Sequence, residues 1–220
     1  MMKKLVSLFA LLVLVAIPGV LPLRAQEGVL QDFLKKASVS RVSFDYSFSV
    51  PAGRTKMEGS GNVLLQGDAF RVEGNGLDIR CDGKTRWTVD TDGEEAVIEP
   101  VDDSGADFYA NPALLVVAVD KAFREVSSGK ATFRGKGVRQ SVLKPLDDSA
   151  TVAGSEIESL KLYFASDKAE MLGAEFTMED GSVTVFLLSQ WKFAPASDDL
   201  APFRFSASAF GANYVVTDLR

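Results

Sequence analysis

Between residues 55 and 100 the chain changes polarity at every second residue and folds back on itself at glycines. Leu77, Ile79 and Cys81 alternate with Asp78, Arg80 and Asp82, and Trp87, Val89 and Val97 continue the apolar series. Between these runs stand Gly74-Asn75-Gly76, Asp82-Gly83 and Asp92-Gly93. Glycine beside Asn or Asp supplies the positive φ that tight hairpin turns require. Period-two alternation punctuated in this way predicts an antiparallel meander with one apolar face and one polar face. Such a sheet must bury its apolar face, and what covers that face decides what the protein does.

The first residues follow a different rule. Met1-Met2-Lys3-Lys4 is basic, residues 5–20 are an apolar run, and Leu23-Arg24-Ala25 offers a cleavage site before Gln26. This is the layout of a secretory signal peptide over residues 1–25. A membrane anchor of about 20 residues is the alternative, weakened by Pro18 and Pro22 crowding its end. The cleavage region holds no cysteine for lipid attachment, so the expected product is a free, exported single domain over residues 26–220. The formal charge of the whole chain is −6, loss of the basic leader makes the product more acidic, and with no basic cluster this argues against a nucleic-acid partner. The single cysteine, Cys81, has no partner for an internal disulfide and sits on the parity of Leu77 and Ile79. It reads as an inward-facing, inert thiol.

Residues 28–38 place Val29, Leu30, Phe33, Leu34 and Ala37 at helical spacing, opposite Gln31, Asp32, Lys35 and Lys36. A half-buried strand over 42–50 follows, with Val42, Phe44, Tyr46, Phe48 and Val50 on one side. Its hairpin partner is 57–65, where Gly59 and Gly61 share the parity of Met57, Val63 and Leu65. Glycines so placed mark sites where another group approaches closely. After a polar loop over 101–110, Asn111-Pro112 sets the N-cap and first position of a helix reaching Lys121. Strands are predicted over 123–127, 131–133, 140–144, 157–164, 172–179 and 182–193. Residues 194–202 read as a loop, and Phe203, Phe205 and 214–218 as the segments that close the sheet.

The chain has no histidine, which removes the usual general base, the His-dependent nucleophile pairs and most zinc sites. Ser127-Ser128-Gly129-Lys130 matches S-x-x-K, but that motif works at the start of a helix. Asp90-Thr91-Asp92-Gly93 opens like a calcium loop, yet lacks the later ligands and is accounted for by a hairpin turn. No cofactor, metal or catalytic group is expected, and the chain reads as a binding protein. The fifteen phenylalanines fall mostly on the inward parity of the strands. Two architectures satisfy that pattern: a sandwich core packed on itself, or a curved sheet closed by short helices over a cavity.

Several motifs, in order, give the chain a relative. Gly61-Asn62-Val63-Leu64-Leu65 leads to Phe70-Arg71-Val72, and Asp82-Gly83-Lys84-Thr85-Arg86-Trp87 leads to Ile98-Glu99-Pro100. Asn111-Pro112-Ala113-Leu114-Leu115 and Asp180-Gly181-Ser182-Val183-Thr184 complete the set. Together they resemble the LolA-like family of periplasmic outer-membrane lipoprotein carriers over nearly the whole exported part. The resemblance implies a mainly β (α+β) fold: a single curved antiparallel sheet of about eleven strands forming an incomplete β-barrel, with short helices as a lid over a hydrophobic cavity. It implies a periplasmic monomer and lipoprotein transport, in which acyl chains are carried towards the outer membrane between an inner-membrane release complex and an outer-membrane receptor.

On this reading, Phe44, Tyr46, Phe48, Val63 and Leu65 form one part of the cavity wall. Phe70, Val72, Leu77, Ile79, Trp87 and Val89 continue it, and Leu160, Leu162, Phe164, Phe176 and Phe186 close the far side. Phe33, Leu34, Leu114, Leu115 and Val117 press down as the lid. Phe44→Glu or Leu77→Glu would then abolish acyl binding in a protein that still folds. One departure stands out: Gln66-Gly67-Asp68 replaces the basic turn that latches the family's lid. The alternative function is a periplasmic sensor or protein-interaction module on the same fold, with a dry core and an exposed patch instead of a cavity.

Overall fold

The computed structural model describes residues 28–52, 55–101, 106–108, 111–146, 150–152, 154–206 and 210–220. The expected leader and most of the loop expected over 101–110 lie outside these residues. The chain opens with helix α1 (Val29–Ser38), whose buried face is Val29, Leu30, Phe33 and Ala37. The meander follows: β1 (Ser40–Ala52), β2 (Thr55–Gln66), β3 (Ala69–Gly74), β4 (Leu77–Asp82), β5 (Thr85–Asp90) and β6 (Glu95–Pro100). Its turns form as the Gly/Asn/Asp spacing predicts. Asn75 and Gly76 take φ of 54° and 77°. Asp82 Oδ1 accepts from the Lys84 and Thr85 amides, and Asp90 Oδ1 from those of Asp92 and Gly93.

A short β7 (Ala106–Asp107) and two one-turn helices, α2 (Leu114–Val117) and α3 (Val119–Ala122), lead into the second half. There lie β8 (Phe123–Phe133), β9 (Lys136–Pro145), β10 (Ala150–Val152), β11 (Ser155–Ala165), β12 (Met171–Met178) and β13 (Val183–Pro195). A 3-10 turn (Ala201–Phe203) and β14 (Val215–Asp218) end the chain. The fourteen strands of the described residues join one sheet, more than the eleven or so implied by the resemblance. Its main path is β14-β6-β5-β4-β3-β2-β1-β13-β12-β11-β10-β7, with β9 also on β11 and β8 on β9. Pairing is antiparallel except for β10 with β7 and β14 with β6. The sheet does not close on itself, so the incomplete-barrel architecture is the one observed.

Register decides which side chains share a face, because residues directly opposite in an antiparallel pair project to the same side. Phe44 is opposite Val63, Val63 opposite Val72, and Val72 opposite Ile79. Tyr46 is opposite Gly61 and Phe48 opposite Gly59. A Cβ on Gly59 would overlap the Phe48 ring, and one on Gly61 the Tyr46 hydroxyl and the Glu73 carbonyl. The two glycines therefore make room for the two rings, as their strand positions predict.

Three expectations differ. The helix expected over 111–121 is two separate turns that break at Ala118, whose φ is −133°. Val116, Val117 and Val119 lose side-chain freedom in a helix, and Asn111 caps only the preceding turn through Oδ1 and the Ala113 amide. The short strands expected over 123–127 and 131–133 are one continuous strand, β8. Phe203 and Phe205 lie in no strand: residues 196–206 run as a strap over the polar-parity face, and the 3-10 turn sits on β3 and β4. β14 adds to the β6 edge and leaves the sheet open.

Gly61→Val should cost about 1–3 kcal/mol in urea denaturation, the usual range for overpacking. Gly129→Ala, with nothing within 4 Å of the new Cβ, should stay within about 0.5 kcal/mol of the parent.

Candidate functional site

The inner face of the sheet carries one continuous apolar cluster. It joins Phe44, Tyr46, Phe48, Val63, Leu65, Phe70, Val72 and Ile79 to Leu160, Leu162, Phe164, Phe176 and Phe186. From α1, Phe33 is fully buried in it, with ring centroids 5.2 Å from Trp191, 5.6 Å from Phe164 and 6.4 Å from Phe193. Leu115 is fully buried too, while Leu34, Leu114 and Val117 are partly buried and pack against the cluster. The structure thus places all five expected lid residues on the cluster. The rings interlock: Phe44 stacks on Trp191 at 4.3 Å, and Phe48 and Phe176 both meet Phe186 within 6 Å. In this closed arrangement the space beneath the helices is filled by side chains.

Two open clefts, of about 730 and 640 Å³, lie elsewhere. One is between the strap and Arg80, and the other runs across Ser47, Ser49, Ser60 and Leu187.

Two of the expected wall residues are not where the parity reading puts them, and a third, Leu77, is on the expected face but exposed. Leu77 faces the side of Ile79 and Cys81 but is 36% exposed, at the rim of the sheet. Trp87 is opposite Arg80 and Val89 opposite Asp78, so both project to the outer face, away from Ile79. They are buried there beside Ile98 and Ala96, which lie opposite them on β6. The apolar side of the sheet therefore switches between β4 and β5: Thr88 and Arg86 stand opposite Ile79 and Cys81. Each strand alternates by itself, so nothing in the sequence fixes the phase of one strand relative to the next.

The same limit hides Trp191 and Phe193, which simple alternation from Phe186 and Leu188 turns outward. Gln190, at φ 56°, shifts the phase and brings both rings in. Indole Nε1 of Trp191 then donates to the Met171 carbonyl at 2.6 Å.

The turn at Gln66-Gly67-Asp68 carries a different set of contacts from a basic latch. Asp68 Oδ1 meets Lys121 Nζ of α3 at 3.4 Å, between two exposed side chains. This links turn and lid with the charges in the opposite order, and exposed pairs of this kind contribute little. Gln66 instead holds the strap: its Oε1 accepts from the Ser197 amide and from Arg41 Nε, and its Nε2 donates to the Ser197 carbonyl. Arg80 donates to the Arg204 carbonyl and lies 3.8 Å from the Phe205 ring centre, while Arg204 pairs with Asp82. Arg71 faces outward, paired with Glu73 and Asp78.

No protein-family model matches the sequence, and a search of curated proteins finds no match. Solved structures do match. An uncharacterized conserved protein from Thermus thermophilus superposes with a TM-score of 0.53 at 15% identity, covering 86% of this chain and 96% of that one. A LolA superfamily protein from Nitrosomonas europaea is similar at TM-score 0.41 and 14% identity, covering 77% and 95%. A lipoprotein-sorting protein domain from Vibrio parahaemolyticus, described as a putative outer-membrane one, is similar at TM-score 0.44 and 10% identity, covering 79% and 95%. The open sheet is thus a fold shared with the Thermus thermophilus protein. At these identities the likeness is one of fold.

Cys81 lies in the inner face at 2% exposure, and burial pushes its thiol above the usual cysteine range. Ellman's reagent at pH 8 should leave the folded protein unlabelled and should modify one thiol per chain once urea unfolds it.

Proposed function

We propose that this protein is a periplasmic carrier that takes acyl chains of lipoproteins, or another lipid, beneath its helices and delivers them towards the outer membrane, with no covalent chemistry. The observation that carries the reading is an apolar face covered by very little chain. Among the described residues only α1 and two four-residue helices provide the helical cover of the inner cluster, and none of the three has a side-chain N-cap bond. Helices so short and uncapped have little stability of their own and open at low cost.

The energetics favour exchange. Exposing one phenylalanine costs about 3 kcal/mol, and about four methylenes buried at ~0.8 kcal/mol each offset it. An acyl chain of ordinary length can therefore displace Phe33 and still bind. Such binding needs a long apolar trough and few hydrogen bonds, which suits this inner face. An inner-membrane release complex and an outer-membrane receptor are the partners this role requires.

A second reading rests on the filled interior: a sensor or interaction module that keeps its core dry and binds proteins at its surface. The two readings differ in one measurable property. Native mass spectrometry of the purified protein, with extraction of bound species, should show co-purifying acyl material, and a fluorescent fatty-acyl probe should be taken up saturably. A clean apo mass with no probe uptake would leave the interaction module.

Packing changes the choice of test mutation. Phe44 is 1% exposed and stacked on Trp191, so Phe44→Glu buries a charge and should unfold the protein. Leu77→Glu and Met57→Glu sit at the exposed rim and should keep the circular dichroism spectrum and Tm of the parent. Each should lower probe affinity by about tenfold, and unchanged affinity in both would remove the rim from the acyl path.

A further inference from the structure

The β8–β9 hairpin concentrates positive charge in an acidic protein. Arg124, Lys130, Arg134, Lys136, Arg139 and Lys144 fall between residues 123 and 145, against Glu125 alone, in a chain of formal charge −6. Scattered along the sequence, these residues form no run, and only the pairing assembles them. Arg124 lies directly opposite Lys144, and Lys130 directly opposite Arg139. Like charges in facing positions destabilise a sheet. Lys144 meets Glu158, and Arg139 donates to the Ala165 and Lys168 carbonyls. Arg124, Lys130, Arg134 and Lys136 form no ion pair among the described residues.

β8 is also an edge. Among the described residues it pairs with β9 only, leaving an eleven-residue strand with one unpaired row of backbone groups. Residues 124–130 are all exposed, and Ser127, Ser128 and Gly129 present little bulk to an approaching strand. A single edge lysine protects a strand from mispairing. Here the charge extends onto β9, which is not an edge, and protection does not require that.

We infer that the β8 edge is a docking site for an extended acidic segment of a partner protein, which adds as a strand beside β8 while its carboxylates neutralise the hairpin. An unpaired backbone ladder calls for a strand, and the unneutralised charge calls for an acidic one. A membrane surface would meet the charge but not the ladder, and the turn Arg134-Gly135 offers no apolar side chain for insertion. Phe123 and Leu143 of the hairpin belong to the inner cluster, whereas the exposed residues 124–130 do not, and the test reads peptide binding there and not acyl uptake.

The probe is a fluorescein-labelled eight-residue peptide alternating Glu and Thr, followed by anisotropy. Saturable binding is expected at low salt, weakening as ionic strength rises past about 0.1 M, with none for the Lys-Thr counterpart. K130E/K136E changes two exposed side chains, so the parent Tm should persist while affinity falls by about tenfold. Hydrogen exchange of the wild-type chain should show new protection of β8 amides on peptide addition. No saturable binding, affinity indifferent to charge reversal, or binding without β8 protection would each overturn the proposal. So would hairpin-dependent capture of anionic phosphatidylglycerol vesicles, or self-association of the chain, in place of peptide binding.

Discussion

Phe33 is where α1 meets the sheet. Its ring fills the space between Trp191, Phe164 and Phe193, and α1 has no other anchor of comparable size. The ten-residue helix is too short to be stable alone, so its position depends on the buried face that Phe33 shares with Val29, Leu30 and Ala37. The remaining cover, α2 and α3, is shorter still. A tight aromatic interior and a weakly held roof thus occur together. The first gives the sheet its stability, and the second has little stability of its own.

The sheet is apolar on different sides in different places. From β1 to β4 the inner face is buried, whereas at β5 and β6 burial moves to the outer face through Trp87, Val89, Ala96 and Ile98. A two-sided sheet needs two covers. The helices provide one, and the C-terminal strap provides the other over β3 and β4. The strap is held by backbone-directed bonds from Gln66, Arg41 and Arg80. These bonds are satisfied by any strap sequence that keeps its path, whereas buried Phe203 and the Arg204–Asp82 pair add side-chain anchors. Gln66 and Asp68, which read as a missing latch, turn out to connect the β2–β3 turn to the strap and to α3 respectively.

The two ends of the sheet contrast. β6 is capped by β14 of the same chain in a parallel pair, whereas β8 has no second neighbour among the described residues. Exposed charge gathers at the uncapped end. Backbone valence and electrostatics therefore single out the same strand.

The sequence by itself determined the meander, its turns, the amphipathic helix, the glycine gaps under Phe48 and Tyr46, and the buried thiol of Cys81. All of these are local: a period of two or 3.6, a positive φ, a missing Cβ. The motif order also carried the open-sheet architecture. What only the tertiary structure decided is phase and company. Whether Trp87 shares a face with Ile79 depends on the register between two strands, and whether Trp191 points inward depends on a shift at Gln190. Leu77 alternates correctly, yet it is exposed because it lies at the strand's end. The basic hairpin was likewise invisible along the chain, since six charges become neighbours only when two strands pair. Alternation states that a strand has two faces; the long-range contacts that choose between them come from residues far away in sequence.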